Sequence, residues 1–160
     1  MVSSVSDVMS WVTSISTRPP GGVASYPMPA QTVSLMLEAP MMPPDMALRR
    51  FVENALGEGA SEDLVERIVS YRTANPPDLG GWQAQAAAGA MHDAFDRIGD
   101  IAAPTLVIHG TEDAVVDPRN AELLAELIPG ARLELLTGCG HLPFWEEPEW
   151  FVSLIREFLR

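Results

Sequence analysis

Two short stretches near the end of the 160-residue sequence hold residues suited to moving a proton. Gly110-Thr111-Glu112-Asp113-Ala114-Val115-Val116-Asp117-Pro118 carries a carboxylate at Asp113, and Gly138-Cys139-Gly140-His141-Leu142-Pro143-Phe144 carries an imidazole at His141. A carboxylate bonded to one ring nitrogen of a histidine orients the ring and leaves the other nitrogen as a general base. An aspartate in such a loop is by itself an ordinary turn residue, because its side chain bonds nearby backbone. The second loop, one helix and one strand later, gives Asp113 its chemical reading.

The neighbouring polar residues carry plainer readings. Asp117 precedes Pro118 and is expected to cap the following helix, and Glu112 to be solvated. His109, at a strand end, reads as a packed or backbone-bonded imidazole rather than a catalyst. Cys139 reads as a small buried hydrophobe, with a thiol nucleophile as the distant alternative. His92, Asp93 and Asp96 offer metal donors within five residues. Helical neighbours meet at i+3 and i+4, so these three would not all face one ion, and no metal site and no cofactor are expected.

Both loops need elements to place them. Pro104-Thr105-Leu106-Val107-Ile108-His109 is a short, near-continuous apolar run of the kind buried on both faces of a parallel sheet. A helix is expected from Arg119 to Ile128, ended by Pro129-Gly130, and a second strand over Arg132 to Leu136. A last helix should run from Glu147 to Leu159. Strand, helix, strand and helix with short links make an α/β layer whose ligands gather at the carboxyl ends of the strands.

Upstream, the β-formers of Trp11-Val12-Thr13-Ser14-Ile15-Ser16-Thr17 predict another short strand, closed by Arg18-Pro19-Pro20-Gly21-Gly22. Residues 23–100 read as loops and helices. Prolines 27, 29, 40, 43 and 44 punctuate a stretch holding Met28, Met36, Met41, Met42 and Met46, which reads as core or as an adaptable apolar lining. Asp45 is expected to cap one helix through Leu56, Ser61 starts a second that stops at Pro76-Pro77, and an alanine-rich third covers Leu79 to Phe95.

Composition excludes several partners. The net formal charge is −12, all ten basic residues are arginine, and no basic run occurs, so nucleic acid and anionic membrane surfaces are set aside. No stretch reads as a membrane-spanning helix. One cysteine allows no internal disulfide. The opening Met1 to Ser10 carries Asp7 and no basic residue, unlike a cationic secretory leader, and the cytoplasm is the expected compartment.

The stretch from Ala103 to Phe158 resembles the C-terminal end of an α/β-hydrolase. PTLVIHGTEDAVVDP followed by IPGARLELLTGCGHLPFWEEPEWF has the form G-x-x-D-x-x-V and then G-x-G-H-x-x-x-x-E-x-P, and WVTSISTRPPGG is similar to the strand and loop that precede the family's lid. The resemblance implies a partial α/β-hydrolase fold, a short parallel sheet with flanking helices and a helical lid. Residues 1–22 would be core strand and loop, 23–100 the lid, and 101–160 the C-terminal core. It implies Asp113 as acid and His141 as base. From their residue types, Met36, Trp82 and Phe144 read as lining for a small apolar ester-like substrate, and Trp145 as lining it or anchoring the last helix.

The family's nucleophile sits earlier in the chain on a G-x-S-x-G elbow, which this sequence does not contain. The lineage chemistry is hydrolysis of a carboxylic ester, lactone or related bond, and this chain alone is expected to be inactive. A non-catalytic module binding a small molecule or partner, and a half-enzyme completed by a second chain, are the alternatives. An exposed sheet edge at the first strand would favour a homodimer or a partner chain.

Overall fold

The computed structural model describes residues 12–15, 25–78, 80, 81, 84 and 95–160. Strand β1 (Val12–Ile15) lies beside β2 (Thr105–Gly110), which lies beside β3 (Arg132–Leu136) in a three-stranded parallel sheet. Val12 to Ile15 pair with Thr105 to Ile108, and Leu106 to Gly110 pair with Arg132 to Leu136. The central strand is buried along its whole length, as its unbroken apolar run requires.

Side chains alternate across β2, so the two faces need separate covers. Val107 packs with Ala121, Leu124 and Ile128 from α4 (Arg119–Leu127) and its end, together with Ile98 of a 3-10 segment, Phe95–Asp100. Leu106 and Ile108 pack on the other face against Leu154, Trp150, Phe151, Ile155 and Phe158 of α6 (Pro148–Phe158). A short helix α5 (Pro143–Glu146) joins the histidine loop to α6.

Between β1 and β2 the described residues include the helices α1 (Ala30–Glu38), α2 (Pro44–Ala55) and α3 (Glu62–Ala74). Ser61 caps α3 by accepting the Leu64 N–H at 3.3 Å, as its position predicts. Asp45 does not cap α2. Pro43 holds the cap position and Pro44 the first turn, because a fixed φ and a missing N–H suit proline to that site, which moves Asp45 inside the helix.

Helix α1 was hidden in the sequence by its bounding prolines, which close rather than interrupt it. Its buried residues are Thr32 and Leu35, one turn apart. The methionines do not form a core: Met28, Met36, Met41 and Met46 are exposed, Met41 at 88%. The core of this segment is instead built from Val52, Ala55, Leu56, Leu64, Val65 and Ile68, joined by Leu142 from the histidine loop. Of the expected alanine-rich helix, positions 80, 81 and 84 are helical; Trp82, His92 and Asp93 lie outside the described residues.

Candidate active site

The first loop leaves β2 at Gly110 and the second leaves β3 at Leu136, two adjacent carboxyl ends of the sheet. Backbone bonds lace the loops together. Thr111 N–H donates to Leu136 O at 2.8 Å and Glu112 N–H to Cys139 O at 2.9 Å. Gly138 turns the second loop with φ +81°, a conformation that suits glycine, and its N–H reaches Thr111 Oγ1 at 3.0 Å. A Cβ on Gly110 would stand 2.1 Å from Gly140 O, so the approach of the loops depends on the missing side chain.

This approach brings Asp113 and His141 together. Asp113 Oδ2 lies 2.9 Å from His141 Nδ1. An ionised carboxylate only accepts, so Nδ1 carries the proton and Nε2 is the nitrogen left to take one. Asp113 is buried, whereas the His141 side chain keeps 27% of its surface. Burial alone would raise the Asp113 carboxyl. The bonds from His109 and His141, the His141 charge and the Val116 N–H outweigh it and hold the group well below the usual carboxylate range.

The helical segment is bound to both loops by polar contacts absent from any local pattern. His141 N–H donates to Ala55 O at 2.7 Å, at the end of α2. Glu146 accepts Gly57 N–H at 2.8 Å and Gly140 N–H at 2.9 Å, tying the same helix end to the residue before His141. Glycine is required at both contacts: a Cβ on Gly140 would lie 2.5 Å from Leu56 C, and one on Gly57 2.0 Å from Gly138 O. On the acid loop, Thr32 Oγ1 donates to Ala114 O, and Asn54 Nδ2 donates to Thr32 Oγ1 at 2.7 Å. Glu112 is exposed, as expected, and its Oε2 also accepts the Glu58 N–H at 2.7 Å.

Other candidates fall into place around this pair. Asp117 does not cap α4, whose cap position is Pro118; one residue earlier, it accepts the Arg119 N–H at 3.0 Å and pairs with the Arg119 guanidinium. That guanidinium lies 4.1 Å above the Tyr26 ring, while buried Asn120 exchanges bonds of 2.8 and 3.0 Å with the Tyr26 backbone. Cys139 is buried, and burial, with Glu146, Glu147 and Glu112 nearby, pushes its thiol up to about 11. A protonated thiol is a poor nucleophile. Trp145 packs against the α2–α3 core and meets Tyr71 at a 5.8 Å centroid distance.

A cleft of about 640 Å³ borders the acid loop, lined by residues that include Gln31, Asn54, Leu56, Thr111 and Asp113. Met36 and Phe144 are both 43% exposed and are not among its lining residues; Phe144 faces Phe151 at 6.1 Å. Among the described residues no cluster of three or more His, Cys, Asp or Glu could hold a metal ion, and no helix is long and apolar enough to cross a membrane.

A parallel α/β sheet with an aspartate and a histidine on neighbouring carboxyl-end loops defines a class of hydrolase architecture. The chain belongs to the α/β hydrolase fold family, whose model matches residues 30–148. It is similar to pimeloyl-[acyl-carrier protein] methyl ester esterase of Aromatoleum aromaticum, 33% identical over 151 residues, covering 90% of this chain and 59% of the relative. It is also similar to 2-hydroxy-6-oxo-6-phenylhexa-2,4-dienoate hydrolase of Comamonas testosteroni, 32% identical over 148 residues, covering 88% and 52%. In fold it is similar to an esterase from Exiguobacterium antarcticum, with TM-score 0.74 and 23% identity over 94% of this chain and 57% of that one. The chain thus spans little more than half the length of these proteins.

Proposed function

We propose that this chain supplies the acid and base of a nucleophile–histidine–aspartate machinery that hydrolyses a carboxylic ester, lactone or related bond. Asp113 is the acid, His141 the base, and the nucleophile comes from polypeptide outside these 160 residues. The observation that carries this reading is the 2.9 Å bond from His141 Nδ1 to buried Asp113 Oδ2, with the imidazole still part exposed. In such a machinery the base takes the nucleophile's proton through Nε2 and returns it to the leaving group, while the acid stays ionised. Helices α1–α3 act as the lid in this reading, and the cleft beside Asp113 belongs to the substrate. The side of β1 away from β2, where the described residues place no strand, is where the remainder of the sheet, in the same or another chain, would pair.

The test is fluorophosphonate labelling followed by intact mass, with p-nitrophenyl acetate hydrolysis as the second readout. The 160-residue chain alone should take no adduct. Co-expression with the polypeptide encoded immediately upstream should yield an adduct and hydrolysis, both lost in His141→Ala. An adduct on the chain alone that disappears in His141→Ala would overturn the external nucleophile. No hydrolysis in any combination, with a ligand that raises the melting temperature unconsumed, would favour a binding module instead.

A further inference from the structure

Asp113 receives a second imidazole, which the machinery above does not use. His109 is fully buried on the central strand, and its Nε2 lies 2.9 Å from Asp113 Oδ2 and 3.1 Å from Val116 O. A backbone carbonyl can only accept, and so can an ionised carboxylate, so Nε2 must carry a proton in either charge state of the ring. Its Nδ1 is buried without a partner among the described residues, which leaves the Nε2 side to determine the ring's orientation.

On the basis of the Asp113–His141 reading, we propose that His109 is a positioning residue for the acid: its Nε2–H pins Asp113 Oδ2 to the sheet so that the same oxygen meets His141 Nδ1. Asp113 Oδ1 is already occupied by the N–H groups of Val115 and Val116, both at 2.8 Å. With His141 bonded to Oδ2 and the His109 N–H, which also serves Val116 O, 2.9 Å from the same oxygen, the carboxylate cannot rotate without losing one of these contacts. His109 belongs to β2 and Asp113 to the loop four residues later, so the contact refers a loop side chain to a strand buried along its whole length. Asp117, paired with Arg119, is a further carboxylate that His109 acts on.

The inference predicts histidine ring signals that can be read on the ¹⁵N-labelled chain without any turnover. The sequence has three histidines, so single substitutions assign them. His109 should carry its proton on Nε2, in slow exchange with solvent, and His141 should show a downfield Nδ1–H resonance from its bond to Asp113. His109→Leu, close in size but without a donor, should lose or broaden the His141 resonance while the backbone amide spectrum stays folded. His109→Gln, whose amide can place an N–H near the Nε2 position, should keep it.

An unchanged His141 resonance in folded His109→Leu overturns the positioning role, as does a proton on Nδ1 of His109 in the unsubstituted chain. That second observation decides the matter if His109→Leu does not fold. The underlying reading fails separately, if Asp113→Asn leaves the His141 ring signals unchanged in a folded protein.

Discussion

Asp113 gathers three hydrogen bonds and a close His109 contact on one buried carboxylate, and its ionisation is therefore coupled to folding. Its acid dissociation is held below the usual range in the folded state. The stabilisation is complete above the unfolded value of about 3.9 and is lost as pH falls through the folded value. Thermal unfolding followed across pH should thus show stability dropping below about pH 4, with a shallower acid-side slope in Asp113→Asn. That substitution should also cost about 2–3 kcal/mol near neutral pH, the scale of a lost charge-assisted bond. Cys139 yields a contrasting prediction: its raised thiol should react with iodoacetamide at pH 8 far more slowly than free cysteine, and only on global unfolding should it become ordinary. A rapid reaction in the folded protein would contradict its buried, electronegative setting.

The end of α2 and the histidine loop meet backbone to backbone, and no side chain fits between them. Gly57→Ala and Gly140→Ala should each destabilise by about 3 kcal/mol in urea titrations, since the new methyl meets main chain that cannot step aside. Glu146 closes the same contact with its carboxylate. Glu146→Ala should cost about 2 kcal/mol by leaving the Gly57 and Gly140 N–H groups without their acceptor, and their amides should exchange faster with deuterium. Glu146→Gln, which retains one oxygen, should fall between the two. The motif that places Glu146 five residues after His141 is visible in the sequence, but that its oxygens reach back to α2 is not.

Beyond its own elements, the molecule is a thin sheet with strong negative charge. β1 pairs with β2 on one side, and the described residues place no strand on its other side. An unpaired parallel edge is a template for another strand. Light scattering after size exclusion should show association that strengthens with protein concentration. It should strengthen with salt as well, because a net charge of −12 repels a second copy until screened. A monomer whose elution is unaffected by salt or concentration would argue against a functional edge at β1.

Local chemistry determined much of this protein. The apolar run Thr105 to His109 could only be a buried strand, Ser61 and Pro76-Pro77 bounded α3, and the two polar loops at strand ends marked Asp113 and His141 as a pair. Periodicity and turn residues act over a few positions, so these features survive without the fold. What tertiary structure alone decided are contacts between residues distant in sequence. Glu146 with Gly57, Thr32 with Ala114 and Asn120 with Tyr26 have no local signature, because a hydrogen bond across 80 or 90 residues depends on where helices dock. The outward methionines belong to the same category: an apolar side chain states a preference for burial, and the packing of α1 and α2 determined which residues received it. His109 sits between the two. Its four-residue spacing from Asp113 is plain in the sequence, yet only the turn that folds the acid loop back over β2 converts that spacing into a 2.9 Å contact.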